Sequence, residues 1–337
     1  MIEEPLIVPA SPFRLEISDP GSLDGLTLQP AARQSPGFGE VEIQVCAAGL
    51  NFRDVMKALG IYPDDSEGSP TICGDCAGRI VAVGEGVEGL KIGDEVVGIA
   101  PVSFGSFATI PTYLLQPKPS HLSFEEAVTI PSTFLTAYYA LYHLGRLSKG
   151  ERVLIHAAAG GVGLAAVQLS QRVGAEIFTT AGNPEKREFI RSLGVQHVMD
   201  SRSVAFADEV MKLTEGKGMD VILNSLAGEF IPKNLSVLAK FGRFLEIGKQ
   251  DIYQNSHLEL YPFRNNLSFF AIDLEQVWLE RPDFTAALFR EVIQCFEDGA
   301  LKPLPHRVFP ISEVRAAFRY MRKSKHIGKI VVSFPKE

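Results

Sequence analysis

Ala158, Gly160 and Gly163 stand at the spacing A-x-G-x-x-G within "LIHAAAGGVGLAAVQLSQRVGA", residues 154–175. There an apolar, strand-like run breaks into small residues and resumes as a helix. Positions without side chains at such a joint let backbone N–H groups approach a pyrophosphate, and the helix N-terminus adds partial positive charge. Gly160 would admit the phosphates, and Gly163 would let helix and sheet pack closely. About twenty residues further on, an NAD-specific fold places an acid for the ribose 2′-hydroxyl. The corresponding stretch here, "TTAGNPEKR", has no acid at the strand end; Lys186 and Arg187 follow it, and "DSRS" (200–203) closes the next strand. Cations without a carboxylate suit a 2′-phosphate, so the expected cofactor is NADPH.

Three further groups could act on a bound substrate. Lys249 in "IGKQD" follows the last strand of an alternating β/α run, at the carboxyl edge where ligands of open sheets bind. Asp273 in "FAIDL" can pair with Lys249, or cap the helix that "LEQVWL" begins. Tyr62 in "GIYP" offers a phenolic proton, or packs against a proline turn. Cys73 and Cys76 form a C-x-x-C, but Cys46 and Cys295 stand alone, whereas a structural zinc site takes four ligands, typically from two such pairs. A redox pair would open a βαβ helix, and this one precedes a β-type run. Buried thiols and no metal are therefore expected. His156, at the end of the strand before the glycine turn, is expected to pack or hydrogen-bond behind that turn.

The elements that must position these groups show two textures. Up to about residue 130, short alternating segments such as 12–20, 40–48, 78–87 and 93–101 are punctuated by Gly and Pro, as in a compact β-rich domain. Residues 124–145 read as one helix. Strand and helix patterns then alternate to about 261, which predicts a parallel sheet with helices on both faces. From about 262 the pattern loosens; helices at 284–298 and 312–324 and a strand "KIVVSF" read as a return to the first domain. The predicted domains are thus 1–130 with 262–337, and 131–261. The 337 residues, 46% hydrophobic and 22% charged with net charge −7, suit a globular α/β protein and argue against nucleic acid or an anionic membrane as partner. No secretory segment and no membrane-spanning run is present in the sequence, so a cytoplasmic chain without disulfides is expected. The closing "FPKE" reads as a cut linker.

Seven stretches together resemble one family: "AAGLNFRDVMKALGIYP" (47–63), "AVTIPSTFLTAYYAL" (127–141), "VLIHAAAGGVGLAAVQL" (153–169), "DSRSVAFADEV" (200–210), "DVILNSLAGEFI" (220–231), "GRFLEIGKQDI" (242–252) and "HIGKIVVSF" (326–334). They resemble the zinc-independent, quinone-reductase-like medium-chain dehydrogenase/reductases, most of all the enoyl reductase domain of modular polyketide synthases and animal fatty acid synthase. "LNFRD" stands where zinc-dependent relatives carry a cysteine ligand. "CGDCAG" departs from the family's Gly-Gly-Glu-x-Ala-Gly, with Asp75 in place of the Glu and Cys73 in place of a Gly. The resemblance implies a GroES-like β-rich catalytic domain and a Rossmann nucleotide-binding domain. It implies NADPH-dependent reduction of an enoyl thioester on an acyl carrier protein, beside neighbouring synthase domains, by a monomer or homodimer. It places Lys186, Ser201 and Arg202 on the 2′-phosphate, Asn51 and Phe270 beside the nicotinamide, and Thr136, Ala158, Gly160, Gly161, Val162, Gly163 and Asn224 along the cofactor. It also assigns catalysis to Tyr62, Lys249 and Asp273.

Three other readings share this sequence. A free-standing NADPH quinone or enone reductase would have the same fold. A specialised synthase variant would deliver hydride to a γ-chloro enoyl thioester and close a cyclopropane. A structural protein would bind NADPH without turnover.

Overall fold

The run "ERVLIHA" lacks the alternation of a half-exposed strand, and Val153, Leu154 and Ile155 are all fully buried. Such a strand belongs in a parallel sheet covered on both faces. The protein, described by a computed structural model over residues 4–62, 72–102 and 104–335, builds that sheet from six strands. Their spatial order is His197–Asp200, Glu176–Ala181, Arg152–Ile155, Met219–Asn224, Leu238–Glu246 and Ser268–Ala271, with every neighbouring pair parallel. In chain order this is 3-2-1-4-5-6, the doubly wound Rossmann arrangement, whose strand order reverses beside the first strand. The glycine turn leaves the sheet at that reversal. Phe178, Phe206 and Phe244 fill one core with Leu154 and Ile222, each large apolar side chain contributing about 1.5–3 kcal/mol by leaving water.

The second unit is β-rich. Its main sheet runs His306–Pro310, Lys329–Ser333, Glu40–Leu50, Gly74–Val83, Glu95–Ala100 and Leu115–Pro117, with Phe107–Pro111 also paired to Glu40–Leu50. A separate hairpin joins Phe13–Ile17 to Leu26–Pro30. This is the part for which the resemblance implies a GroES-like fold. One unit runs to Ser132 and resumes at Gln276; the other is Thr133–Glu275. The return to the first unit, expected near 262 where the sequence pattern loosens, falls later, at Gln276. Ser268–Ala271 nonetheless pairs with Arg243–Glu246 as the sixth strand of the parallel sheet.

The single helix expected over 124–145 is three pieces. Ser123 and Glu126 form a capping box that starts Phe124–Ala127. Pro131 cannot supply an N–H to a continuing helix, and a new helix starts there, Pro131–Tyr138. A wider π-helical turn follows at Tyr139–Leu144, with Gly145 N–H donating to Ala140 O at 2.7 Å. Arg243 holds its end, donating to Gly145 O at 2.9 Å and pairing with Glu151 at 2.7 Å.

Candidate active site

The joint after Arg152–Ile155 is built for close approach. Ala157 takes a left-handed φ of 49°, and Gly160 closes back on it through an N–H···O bond of 2.9 Å. Gly160 is the N-cap of the helix Gly161–Val173 and has no side chain to cap the first-turn N–H groups of Gly161, Val162 and Gly163, which leaves that turn suited to an anion. Ala158 is fully buried. A Cβ on Gly163 would lie 2.6 Å from the Ala158 Cα, a backbone atom that cannot move aside. The cradle therefore fits a dinucleotide pyrophosphate, with small residues where a side chain would fill it.

Ser201 and Arg202 converge on Gly182, and Lys186, in the helix that follows, lies near enough to Arg202 to feel its charge. A Cβ on Gly182 would lie 3.5 Å from Ser201 Oγ and 3.7 Å from Arg202 Nε. Lys186 is positioned by Asn183, whose Oδ1 accepts the Lys186 N–H at 2.8 Å as the helix N-cap. Burial lowers the Lys186 ammonium below its ordinary value, and the nearby Arg202 charge lowers it further while Glu185 opposes both. Two cations held close enough to repel are what a phosphate dianion relieves. Arg187, by contrast, is tied to Asp200 at 3.1 Å and to Ala181 O at 3.2 Å. Asp200 also accepts the Arg202 N–H at 2.9 Å, so this carboxylate is engaged within the loop.

Farther along the same carboxyl edge, Lys249 Nζ donates to Asp273 Oδ2 at 2.6 Å, both side chains being about one-fifth exposed (21% each). Asp273 Oδ1 accepts the Glu275 N–H at 3.0 Å at the start of Leu274–Glu280. Asp273 thus pairs and caps at once. Phe270 is half-buried on the last strand, opposite Leu245. Thr136 is half-buried on Pro131–Tyr138. Asn224 is enclosed: its amide donates to Leu226 O at 2.7 Å and Glu246 Oε2 at 2.6 Å, and accepts from Leu226 N and Asn234 Nδ2. Its side chain holds the sheet edge together and is not presented at a surface. His156 lies behind the glycine turn as expected, against Thr180 Oγ1 at 2.9 Å and Asn234 Oδ1 at 2.7 Å. Burial pushes its imidazole down to about 4, against the Asn234 hydrogen bond, so it is neutral at pH 7.

In the β-rich unit, Asn51 is the N-cap of Phe52–Ala58 and its N–H donates to Asp54 Oδ2 at 2.7 Å. Its amide is held from behind. Lys329 Nζ donates to Asn51 Oδ1 at 2.7 Å and to Asp75 Oδ2 at 2.7 Å, and Asn51 Nδ2 reaches Asp75 Oδ2 at 3.2 Å. The other Asp75 oxygen takes the Ser132 N–H and hydroxyl at 2.8 and 2.5 Å. Asp54 is fully buried, and burial pushes its carboxyl up to about 6, with Arg53 the largest opposing influence. Tyr62 is half-buried, with Lys57 Nζ 5.4 Å from its ring centroid. Cys76 is fully buried, and burial raises its thiol; Cys73 Sγ lies 3.3 Å from Arg53 Nη2. Among the described residues no group of three or more His, Cys, Asp and Glu could hold a metal ion.

Comparison with known proteins accounts for both units. A model of the alcohol dehydrogenase GroES-like domain matches residues 37–134, and one described as zinc-binding dehydrogenase matches 193–332. The crystal structure of CurK enoyl reductase is 47% identical, with a TM-score of 0.89, covering 96% of this chain and 100% of that one. The chain belongs to the enoyl reductases. The CurF ER cyclopropanase from the curacin A biosynthetic pathway is 42% identical at a TM-score of 0.89, over 96% and 100% of the two chains. A phenolphthiocerol/phthiocerol polyketide synthase chain of Mycobacterium tuberculosis is 45% identical over 322 residues. That match takes in 96% of this chain and 15% of the synthase, so this enoyl reductase spans about one-seventh of such a relative's length.

Two features of this enoyl reductase escaped sequence reasoning. One is the Asp75–Lys329–Ser132 network behind Asn51. Its signal was a lysine heading the apolar run "KIVVSF", since a lysine in a buried strand needs a partner. The other is Glu246, an acid ending the buried strand "GRFLE" and only 2% exposed, for the same reason.

Proposed function

We propose that this enoyl reductase uses NADPH to reduce the 2,3 double bond of an enoyl thioester carried on an acyl carrier protein, in polyketide biosynthesis. The observation that carries the reading is one sheet edge. Along its carboxyl end stand the glycine cradle, the Lys186–Ser201–Arg202 cluster and the Lys249–Asp273 pair. Gly160, Gly161, Val162 and Gly163 would hold the pyrophosphate, and Lys186, Ser201 and Arg202 the 2′-phosphate. Thr136, Asn51 and Phe270 would border the nicotinamide half. The nicotinamide, when bound, supplies hydride to the β-carbon.

The chain's own residues supply the rest. As charge develops on the thioester oxygen it needs a hydrogen-bond donor, and a proton must then reach the α-carbon. Lys249 is the cation for the first task, its ammonium fixed in place by Asp273 at 2.6 Å. Tyr62 delivers the α-proton or selects the face that receives it.

The test is NADPH oxidation with a carrier-bound crotonyl thioester, the product identified by mass. The reading expects a saturated product and a rate well above that with naphthoquinone or with NADH. Faster naphthoquinone turnover would make it a quinone reductase, and no NADPH consumption with any enone would make it a binding protein. The 42% identity to the CurF cyclopropanase supports a second reading: a γ-chloro enoyl thioester would then yield a cyclopropane with loss of chloride.

A further inference from the structure

The glycine turn and the Lys249 turn are joined beneath the sheet edge by a continuous line of polar side chains. Thr180, His156, Asn234, Asn224 and Glu246 are each no more than 3% exposed. The line runs Thr180 Oγ1 to His156 Nδ1 at 2.9 Å, His156 Nε2 to Asn234 Oδ1 at 2.7 Å, Asn234 Nδ2 to Asn224 Oδ1 at 3.3 Å, and Asn224 Nδ2 to Glu246 Oε2 at 2.6 Å. Its directions are determined. Asn234 donates through Nδ2, so its Oδ1 accepts; His156 therefore carries its proton on Nε2 and accepts from the Thr180 hydroxyl at Nδ1. Asn224 in turn donates toward Glu246.

Glu246 terminates the line and takes no part in the chemistry described above. Both of its oxygens accept: Oε2 from Asn224, and Oε1 from the Gly248 N–H at 2.6 Å. The fit at Gly248 is close, because a Cβ there would lie 2.7 Å from Oε1. The backbone on either side is also fixed, Ile247 N–H donating to Asn224 O at 2.9 Å and Ile272 N–H to Glu246 O at 2.8 Å. The residue after Gly248 is Lys249, and the residue after Ile272 is Asp273.

We propose that Glu246 is a positioning residue for Lys249: its carboxyl group clamps the Gly248 turn, and through that turn sets the ammonium against Asp273. The role assigned to Lys249 rests on the enoyl-reduction reading; the clamp itself is a property of the fold. A glutamine at 246 sets its amide Nε2 donor against either Asn224 Nδ2 or the Gly248 N–H, so one of the two bonds is lost.

The experiment uses the full chain and a double-mutant cycle. Glu246→Gln should lower kcat for a carrier-bound crotonyl thioester about tenfold or more and change KM for NADPH less than about twofold, a loss confined to the reacting state. In an enzyme already carrying Lys249→Ala, the same substitution should change kcat by less than about twofold, since coupled residues are not additive. A further loss of about tenfold in that background overturns the proposal, as does an unchanged kcat in the single variant. If the Gln chain does not fold, Glu246→Leu, which removes both acceptors at similar volume, carries the same cycle. A readout independent of turnover separates the clamp from the reduction reading: acetylation of Lys249 by an amine-reactive reagent, followed by peptide mass. Once the turn is released, Lys249 should label about threefold faster or more than in the wild type, as expected when a local opening is made easier. Equal labelling overturns the clamp. Faster labelling in a protein whose wild type consumes no NADPH with the thioester supports the clamp and removes only the reduction reading.

Discussion

Neutral His156 should make the nucleotide-binding unit acid-sensitive in a way one substitution removes. The ring is 3% exposed, packs edge-on against Phe206 at 4.8 Å between centroids, and has its two nitrogens occupied by Thr180 and Asn234. A second proton would need to sit on Nδ1, where the Thr180 hydroxyl donates. The folded protein therefore holds this imidazole at about 4, against 6.5 for a free histidine. A depressed value means that the unfolded chain binds the proton first. The associated stability is complete above pH 6.5 and drains away as pH falls toward 4. At about 1.4 kcal/mol for each tenfold difference in proton affinity, the loss is about 2 kcal/mol by pH 5 and about 3 kcal/mol by pH 4. Glu246, pushed up to about 8, and Asp54, pushed up to about 6, act in the opposite sense, so the whole-protein profile is not the measurement. The measurement is wild type against His156→Gln, which can retain the donor to Asn234 and does not titrate. Native-state amide exchange of the strand Arg152–Ile155, compared at the same pH in both proteins, cancels the intrinsic pH dependence of exchange. Between pH 7 and pH 5 the wild type should lose about thirtyfold more protection than the variant, the equivalent of about 2 kcal/mol. Parallel protection in both proteins would refute a neutral buried His156.

Other substitutions probe the remaining parts. Gly163→Ala drives a Cβ to within 2.6 Å of the Ala158 backbone; overpacking of this kind costs about 1–3 kcal/mol, and both the melting temperature and NADPH affinity should fall, read by thermal denaturation and by cofactor fluorescence. Arg202→Ala removes a charged donor worth about 1.5–3 kcal/mol, so KM for NADPH should rise about tenfold or more while KM for NADH stays level. Gly182→Asp places a carboxylate beside Ser201 Oγ and Arg202 Nε and should move selectivity toward NADH in the same assay. Lys329→Met strands the Asp75 charge, buried to 0% exposure, and should destabilise the β-rich unit by about 3–5 kcal/mol in denaturant unfolding, with Asp75→Asn added in the same chain restoring most of it.

Much of this was legible in the sequence because the responsible residues act locally. The glycine spacing, the strand–helix alternation and the missing acid after "EIFTTA" are each read within a few residues, and each describes the nucleotide-binding unit as it is folded. What could not be read depends on distance. Ser268–Ala271 is a strand because it meets Arg243–Glu246, and no short pattern in "SFFA" distinguishes it from a loop. Asn224 carries the family's motif, yet Asn234 and Glu246 enclose its amide, a fact of tertiary packing alone. The helix over 124–145 was read as continuous because its apolar residues keep a helical period; Pro131 and the wider turn at Tyr139–Leu144 break the backbone without breaking that period.

The pairing of Asp75 with Lys329 spans 254 residues of chain. During synthesis on a ribosome, the strand that carries Asp75 emerges long before the strand that carries its counter-ion. The nucleotide-binding unit, complete by Glu275, can fold in that interval. The β-rich unit must wait, with a gap between Glu40–Leu50 and His306–Pro310 where Lys329–Ser333 will later insert. Its last-made strand is therefore both the closing piece of its sheet and the neutraliser of a fully buried charge, and of the two units the inserted one is the first able to reach its final form.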